Sequence, residues 1–214
     1  MIKRKDKLNV RTILCMMIVV LITFTACSNK KKIEIKNNAG VVIESYTVDK
    51  NNPELKLGAY FKYYDNGKIL ETSFFKNGKL NGERKLYYES GKIMQTENYV
   101  DNKFEGAFKA FYEDGSLQQE GSYKDNMMNG LWKNYYKEPK NTLKNEMTLL
   151  ENKINGPSKE YYTNGKLNAT GNKLEIGDGI DVYDGAVEVY DSLGILERII
   201  TYDKGRQISK EEKK

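Results

Sequence analysis

A glycine that recurs at a nearly fixed interval constrains this chain more than any other sequence feature. The spacing is 24 residues for three intervals and then 26 and 29, at Gly58, Gly82, Gly106, Gly130, Gly156 and Gly185. The fifth residue after each of these glycines is aromatic: Tyr63, Tyr87, Phe111, Tyr135, Tyr161 and Tyr190. Self-similarity at a fixed period is typical of repeat proteins, in which each unit packs on its neighbours. Residues 58–208 are therefore predicted to hold about six copies of one unit.

The unit is predicted to be a β-hairpin. In the first copy, residues 58–64 favour a strand, residues 65–67 (Asp-Asn-Gly) a turn, and residues 68–75 a second strand. Asn-Gly supplies the positive φ angles of tight hairpin turns, and a unit of this length accommodates two strands of about seven residues and two turns. We expect an all-β fold, an elongated antiparallel meander of consecutive hairpins in a single layer. Residues 33–57 are predicted to be a degenerate leading copy and residues 209–214 a charged tail.

The repeated pattern resembles a known family. Each copy reads approximately Gly-x-x-x-x-Tyr-Tyr-x-Asn-Gly-Lys-Leu, followed by an aromatic residue and Asn-Gly-Lys-Leu-Asn-Gly. This resembles the MORN (membrane occupation and recognition nexus) repeat, and more narrowly its bacterial variant in YwqK-family antitoxins. The resemblance implies an array of hairpins that binds partners, with membrane or lipid association in some members. The antitoxin variant implies a partner toxin.

The N-terminal residues are predicted to direct export. A basic start precedes an apolar run over residues 13–22, which suits a secretory signal peptide and is shorter than the roughly 20 residues that span a bilayer. The run ends at Thr25-Ala26-Cys27, which resembles the bacterial lipobox, although Phe24 stands where Leu is usual. We therefore expect a lipoprotein signal peptide over residues 1–26, and a lipidated Cys27 with a polar tether over residues 27–32. An ordinary signal peptide with a fortuitous cysteine and an uncleaved anchor remain alternatives.

Composition excludes several classes of function. The chain has no histidine, so it lacks Ser-His-Asp and Cys-His nucleophiles and the usual ligands of zinc and haem. It has 35 basic and 30 acidic residues, but five of the basic ones and one acidic one lie in residues 1–26. The rest of the chain is nearly neutral, which gives no support for nucleic-acid binding. We predict a protein that is not an enzyme and has no cofactor and no metal.

Candidate binding residues lie on the aromatic columns and in one acidic loop. The residue after each aromatic of the first column is usually Tyr, and strand alternation predicts that this second column lies on the opposite face. Such rings could stack on sugars or peptides, but packing in the core is favoured. Core packing is also favoured for the single Trp. The acidic residues could surround Ca²⁺, but an ordinary acidic turn is favoured. The candidates are Tyr64, Tyr88, Tyr112, Trp132, Tyr136, Tyr162, Asp178, Asp181 and Asp184.

These features together predict an exported interaction protein. We expect a non-catalytic scaffold of the bacterial envelope, anchored in the membrane through acylated Cys27, whose partner is an envelope protein or peptide. Ser28 after the cysteine favours the outer membrane in a cell with two membranes. The alternative is an antitoxin or immunity protein that neutralises a toxin.

Overall fold

A computed structural model describes residues 29–213, which form one antiparallel sheet of 17 strands. Residues 1–28, with the predicted signal peptide and Cys27, lie outside this range. Within residues 29–213 the structure has no helix of the length and apolarity needed to cross a membrane. The strands are β1 (Lys30–Lys36), β2 (Val42–Asp49), β3 (Gly58–Tyr63), β4 (Ile69–Lys76), β5 (Lys79–Leu80), β6 (Gly82–Tyr87), β7 (Ile93–Val100), β8 (Lys103–Phe104), β9 (Gly106–Phe111), β10 (Leu117–Lys124), β11 (Met127–Tyr135), β12 (Leu143–Leu150), β13 (Lys153–Tyr161), β14 (Leu167–Glu175), β15 (Asp181–Tyr190), β16 (Leu196–Asp203) and β17 (Arg206–Glu212).

The sheet is an open meander. Successive strands pair antiparallel along the chain, from β1 with β2 to β16 with β17. The short strands β5 and β8 continue as β6 and β9, so β4 pairs with both β5 and β6, and β7 with both β8 and β9. The predicted all-β array of consecutive hairpins is confirmed.

The repeated glycines lie where the strands bulge. All six have positive φ, between 75° and 130°, a region that costs other residues about 1–2 kcal/mol. At Gly130, the register between β10 and β11 jumps, because Glu120 pairs with Lys133 but Ser122 pairs with Asn129. Such bulges bend a strand and increase its twist. The 24-residue period is therefore the period of this bulge.

The two faces of the sheet differ in burial. Residues directly opposite each other, and alternate residues on a strand, share a face. The core face carries the buried Phe108, Trp132, Leu149 and Val187. The other face carries Lys85, Lys109, Lys133 and Lys159, and we call it the lysine face.

Trp132 is the centre of the core face. It is 1% exposed and contacts Phe108 and Tyr123, with ring centroids 5.4 and 5.2 Å away. The indole lies on Gly121, where a Cβ atom would come within 2.3 Å of its Cδ2 atom. Leu149 completes the buried cluster, and partly buried side chains surround it: Phe104, Ala110, Tyr123, Met128, Met147 and Ile154.

Two repeats before Trp132, the equivalent position of the core face is ionic. The Arg84 guanidinium lies 2.7 Å from Glu71 Oε2 and 3.1 Å from Glu97 Oε2. Glu97 is 4% exposed, and it also accepts hydrogen bonds from Gln95 and from the Tyr99 hydroxyl, the latter at 2.9 Å. These contacts hold the pKa of the Arg84 guanidinium above its usual value, chiefly through the hydrogen bond to Glu71.

Two terminal segments are more ordered than the sequence predicts. β1 begins at Lys30, inside the predicted tether, because residues 30–32 pair with residues 47–49 of β2. β17 extends to Glu212, inside the predicted charged tail, because residues 210–212 pair with residues 198–200 of β16. In both cases backbone pairing with a neighbouring strand overrides the charge of the segment.

Candidate interaction face

The second tyrosine column connects neighbouring repeats. Each tyrosine of this column comes directly after a strand, which ends at the preceding residue. The hydroxyl of each tyrosine donates a hydrogen bond, 2.7–3.0 Å long, to a backbone carbonyl of the following repeat. That the column lies on the opposite face stays a prediction. The donors are Tyr64, Tyr88, Tyr112, Tyr136 and Tyr162, and the acceptors are the carbonyls of Tyr87, Phe111, Tyr135, Tyr161 and Tyr190.

A second connection between repeats has no counterpart in the sequence predictions. Asn102 accepts a bond from the amide of Leu80 through its side-chain oxygen, 2.7 Å away, and donates its own amide to the Leu80 carbonyl. Asn126 binds Phe104 in the same way, and Asn152 binds Met128. All three asparagines have φ near 70°. The sequence signal for this connection is the Asp-Asn or Glu-Asn pair that recurs in the turns.

The remaining candidates fall into two places. Trp132 lies in the core, and its Nε1 atom has no hydrogen-bond partner within residues 29–213. Asp178 lies in the loop between β14 and β15, Asp181 begins β15, and Asp184 accepts a bond from the Lys204 amide, 3.0 Å long. Among the described residues, no three carboxylate or thiol side chains are grouped as metal ligands would be. The structure therefore does not join these residues into one site.

The lysine face carries a continuous row of polar side chains across the strands. Each member is paired in register with the next, so the row runs perpendicular to the strands at about 4.8 Å per step. We call it the lysine row, and its members are Thr72, Lys85, Thr96, Lys109, Glu120, Lys133, Glu146, Lys159, Thr170 and Glu188.

The first aromatic column runs beside the lysine row. Tyr135 donates its hydroxyl to Glu120 at 2.8 Å, and Tyr161 donates to Glu146 at 3.1 Å. Burial, together with these carboxylates, raises the pKa of both tyrosines to about 12. The bond from Tyr135 lowers the pKa of Glu120. Each aromatic is paired in register with an aliphatic residue, as Tyr135 is with Leu143.

The charges of the row are unequal. Four lysines stand in one row with three glutamates, Glu120, Glu146 and Glu188, whose carboxylates also accept tyrosine hydroxyls. Lys109 lies 3.4 Å from Glu120, and Lys159 lies 3.3 Å from Glu146. Lys133, between Glu120 and Glu146, forms no ion pair within the described residues. Lys85 is also paired, 2.7 Å from Glu83 on the same strand, so the row together with its ion partners is close to neutral.

A shallow groove of about 350 Å³ opens at this point of the lysine face. Lys109 and Lys133 lie on its two sides, with Glu120 between them. The floor of the groove is formed by residues with small side chains, Ala107, Gly121 and Ser122. The half-exposed Leu131 forms an apolar wall. The groove combines two cations, the Glu120 carboxylate between them, a hydroxyl and an apolar surface.

Comparison with protein families matches the hairpins that build this face. Residues 56–77, 80–101, 104–125 and 154–172 match the family described as MORN repeat variant. These four segments match the MORN repeat. The first three matched segments contain β3–β4, β6–β7 and β9–β10, and the fourth covers most of β13 and the start of β14. The MORN part of the expected resemblance is therefore confirmed, and these repeats indicate a repeat-based interaction scaffold.

Other comparisons add little to this result. No curated protein matches the chain at a significant level. A solved structure of TarM matches at 14% identity with a TM-score of 0.24, over 57% of this chain and 25% of that one. A TarM mutant from S. aureus, in complex with Fondaparinux, alpha-GlcNAc-glycerol and UDP, matches at 14% identity and a TM-score of 0.22, over 84% and 25%. TcdB2-TccC3-Cdc42 matches at 12% identity and a TM-score of 0.19, over 82% and 12%. The chain thus spans a quarter or less of each of these chains, and the scores support no functional comparison.

Proposed function

We propose that this protein is a non-catalytic interaction scaffold of the bacterial cell envelope, anchored in the membrane through a lipidated Cys27. The lysine face of the MORN repeats is its binding surface. The observation that carries the binding part is the lysine row, which continues across repeats without interruption. The core face is occupied by the packing of Trp132 and its neighbours and by the Arg84 ion pairs.

Lipid anchoring is supported by the sequence Thr25-Ala26-Cys27 at the end of an apolar run. The first described strand begins at Lys30, so lipid on Cys27 would hold the sheet close to the bilayer. Two acyl chains give stable attachment where a single chain is marginal. The proposal assigns no catalytic residue, which accords with the absence of histidine from the chain.

Metabolic labelling with an alkyne fatty acid tests the anchor. Wild-type protein is expected to incorporate label and to fractionate with the membrane, whereas Cys27→Ala loses both properties. Cys15→Ala is the matched control, since Cys15 lies within the predicted signal peptide, and it should label normally. Label retained in Cys27→Ala would contradict the proposal. Protease treatment of intact cells then tells whether the repeats face the outside.

A further inference from the structure

We propose that the lysine face binds a linear, uncharged polysaccharide, which lies across the strands with its sugar rings on the first aromatic column and its hydroxyls on the lysine row. This inference rests on the proposed function, because it names the ligand class of that same face. The column and the row run side by side, perpendicular to the strands, so one extended chain can contact both.

The rings of the column are held in place by the row. The Tyr135 hydroxyl donates to Glu120 on the preceding strand, 2.8 Å away. The Tyr161 hydroxyl donates to Glu146 in the same way, 3.1 Å away. Both half-buried side chains therefore extend over the sheet surface towards the preceding strand. Ring faces suit the C–H surfaces of sugars, and a platform whose orientation is fixed beforehand loses little entropy on binding.

A second groove, of about 440 Å³, opens beside the column two repeats before Tyr135. Tyr87 and the exposed Ile69 form its apolar sides, and the turn residues Gly67 and Gly91 leave room because they lack side chains. The groove in the middle of the lysine row has Leu131 as its apolar wall. Both grooves place an apolar surface beside polar side chains, and a sugar ring presents the same combination of C–H faces and hydroxyls.

The charge of the row favours an uncharged ligand. Its lysines are balanced by its own glutamates and by Glu83, so neither an acidic nor a basic polymer gains a net attraction. The row still offers donors and acceptors in alternation, at Lys109, Glu120 and Lys133 on three successive strands. Sugar hydroxyls both donate and accept, and their hydrogen bonds to ionised groups are the stronger ones.

The spacing of the column favours a linear polymer. Equivalent aromatic residues, such as Phe111 and Tyr135, stand on every second strand, about 9.6 Å apart. An extended chain of pyranose rings advances by roughly half of this distance per sugar, so alternate sugars meet equivalent aromatic residues. The affinity then grows with the number of repeats engaged. Backbone groups are used in the sheet ladder, so an extended peptide finds few backbone partners here.

Isothermal titration calorimetry on the full chain, purified in mild detergent, tests the proposal. The probes are cellohexaose, N-acetylchitohexaose, the disaccharides of both series, and hexagalacturonate as a charged chain of matched length. The test variant Tyr135→Leu removes one ring of the column, and the control Tyr202→Leu removes a ring from the core face. A second pair is Lys133→Met in the row and Lys137→Met in an exposed turn. Thermal unfolding confirms that the variants are folded.

The proposal predicts that a hexasaccharide of at least one neutral series binds more tightly than its disaccharide. Salt should have little effect on this affinity, because no net charge is neutralised. Tyr135→Leu should weaken binding by about fivefold to tenfold, the loss expected for one stacked ring, whereas Tyr202→Leu should stay within about twofold of wild type. Lys133→Met should weaken binding about threefold through one lost hydrogen bond, and Lys137→Met should leave it unchanged.

The proposal is overturned if the folded wild type binds neither neutral hexasaccharide, if hexagalacturonate binds more tightly than both, or if Tyr135→Leu and Tyr202→Leu lose the same affinity. A dimer in solution that dissociates on the Tyr135→Leu change would assign the face to a second copy of the chain instead. If Tyr135→Leu does not fold, equal affinities of Lys133→Met and Lys137→Met contradict the proposal.

The anchor is judged separately. A chain that labels with fatty acid but binds no hexasaccharide refutes the ligand and leaves the anchored scaffold standing. A chain that binds but does not label does the reverse.

Discussion

The two faces of the sheet repeat with the same period but use their side chains differently. On the core face, the position that holds Trp132 in one repeat holds Arg84 two repeats earlier, and the position that holds Gly121 holds Glu97 one repeat earlier. On the lysine face, the four middle copies keep lysine at one position, at Lys85, Lys109, Lys133 and Lys159, whereas the first and last copies carry Phe61 and Glu188 there. The core face therefore tolerates different residue types at one position, provided that the side chains fill the space between the strands and that buried polar groups are paired. In its four middle copies the lysine face keeps the same chemistry, which is what a repeated contact needs.

Loss of the central indole should have the largest effect. Trp132→Ala is expected to lower the free energy of unfolding by about 3–5 kcal/mol, because it leaves a cavity over Gly121 in the core cluster. Urea denaturation followed by circular dichroism measures this. Leu131→Ala, one residue away on the lysine face, should cost less than about 1 kcal/mol. Equal losses would mean that the two faces do not divide packing and binding between them.

Breaking the ionic part of the core face should have the next largest effect. Arg84→Met leaves Glu97 buried without its cation, and we expect a loss of about 2–3 kcal/mol, below the value for a fully buried pair because Arg84 is partly exposed. The same denaturation experiment applies. A stability equal to wild type would show that the ion pairs are dispensable, and Arg84→Met/Glu97→Gln should recover part of the loss.

Removing one connection between repeats should have a smaller effect. Tyr112→Phe deletes the hydroxyl that bonds to the Tyr135 carbonyl, and about 1 kcal/mol of stability should be lost. Tyr63→Phe is the matched control, because no hydrogen bond of the Tyr63 hydroxyl occurs within the described residues. If both variants lose the same stability, the hydroxyl bond is not the cause.

Alkaline pH should weaken the fold modestly. The pKa values of Tyr135 and Tyr161 are raised to about 12 in the folded protein, whereas a tyrosine in the unfolded chain has a pKa of about 10. Their contribution to the free energy of unfolding is therefore complete below about pH 10 and is lost as the pH rises through about 12. Solvent screens both hydroxyls, which keeps the effect small. Unfolding midpoints in urea should therefore fall between pH 10 and pH 12, and less so in Tyr135→Phe/Tyr161→Phe. A midpoint that does not change over this range in wild type would contradict the assignment.

The lysine row should matter least for stability. Lys109→Gln/Lys133→Gln/Lys159→Gln is expected to change the free energy of unfolding by no more than about 0.5 kcal/mol, since the pairs are exposed. A loss of several kcal/mol would show that this row serves folding as the core face does. The measurement is again urea denaturation.

The sequence predicts the fold because the signals for it are local. Glycine at each bulge and Asn-Gly or Asp-Gly at the turns define hairpins without knowledge of their packing. The hydroxyl bonds of the Tyr64 column were not predictable, because they depend on which carbonyl of the next repeat lies within reach of each tyrosine. The packing of Trp132 on Gly121 depends on which residues meet across two strands after a bulge. The lysine row likewise becomes visible only when the register is known.

Photo-crosslinking in intact cells tests most directly whether the lysine face is the binding surface. A photoreactive residue at Leu131, which is half-exposed on that face, should capture an envelope component. The same residue at Lys137, exposed in a turn outside the row, should not. The account is contradicted if Lys137 crosslinks as strongly as Leu131, or if Leu131 captures nothing while the protein is folded and in the envelope.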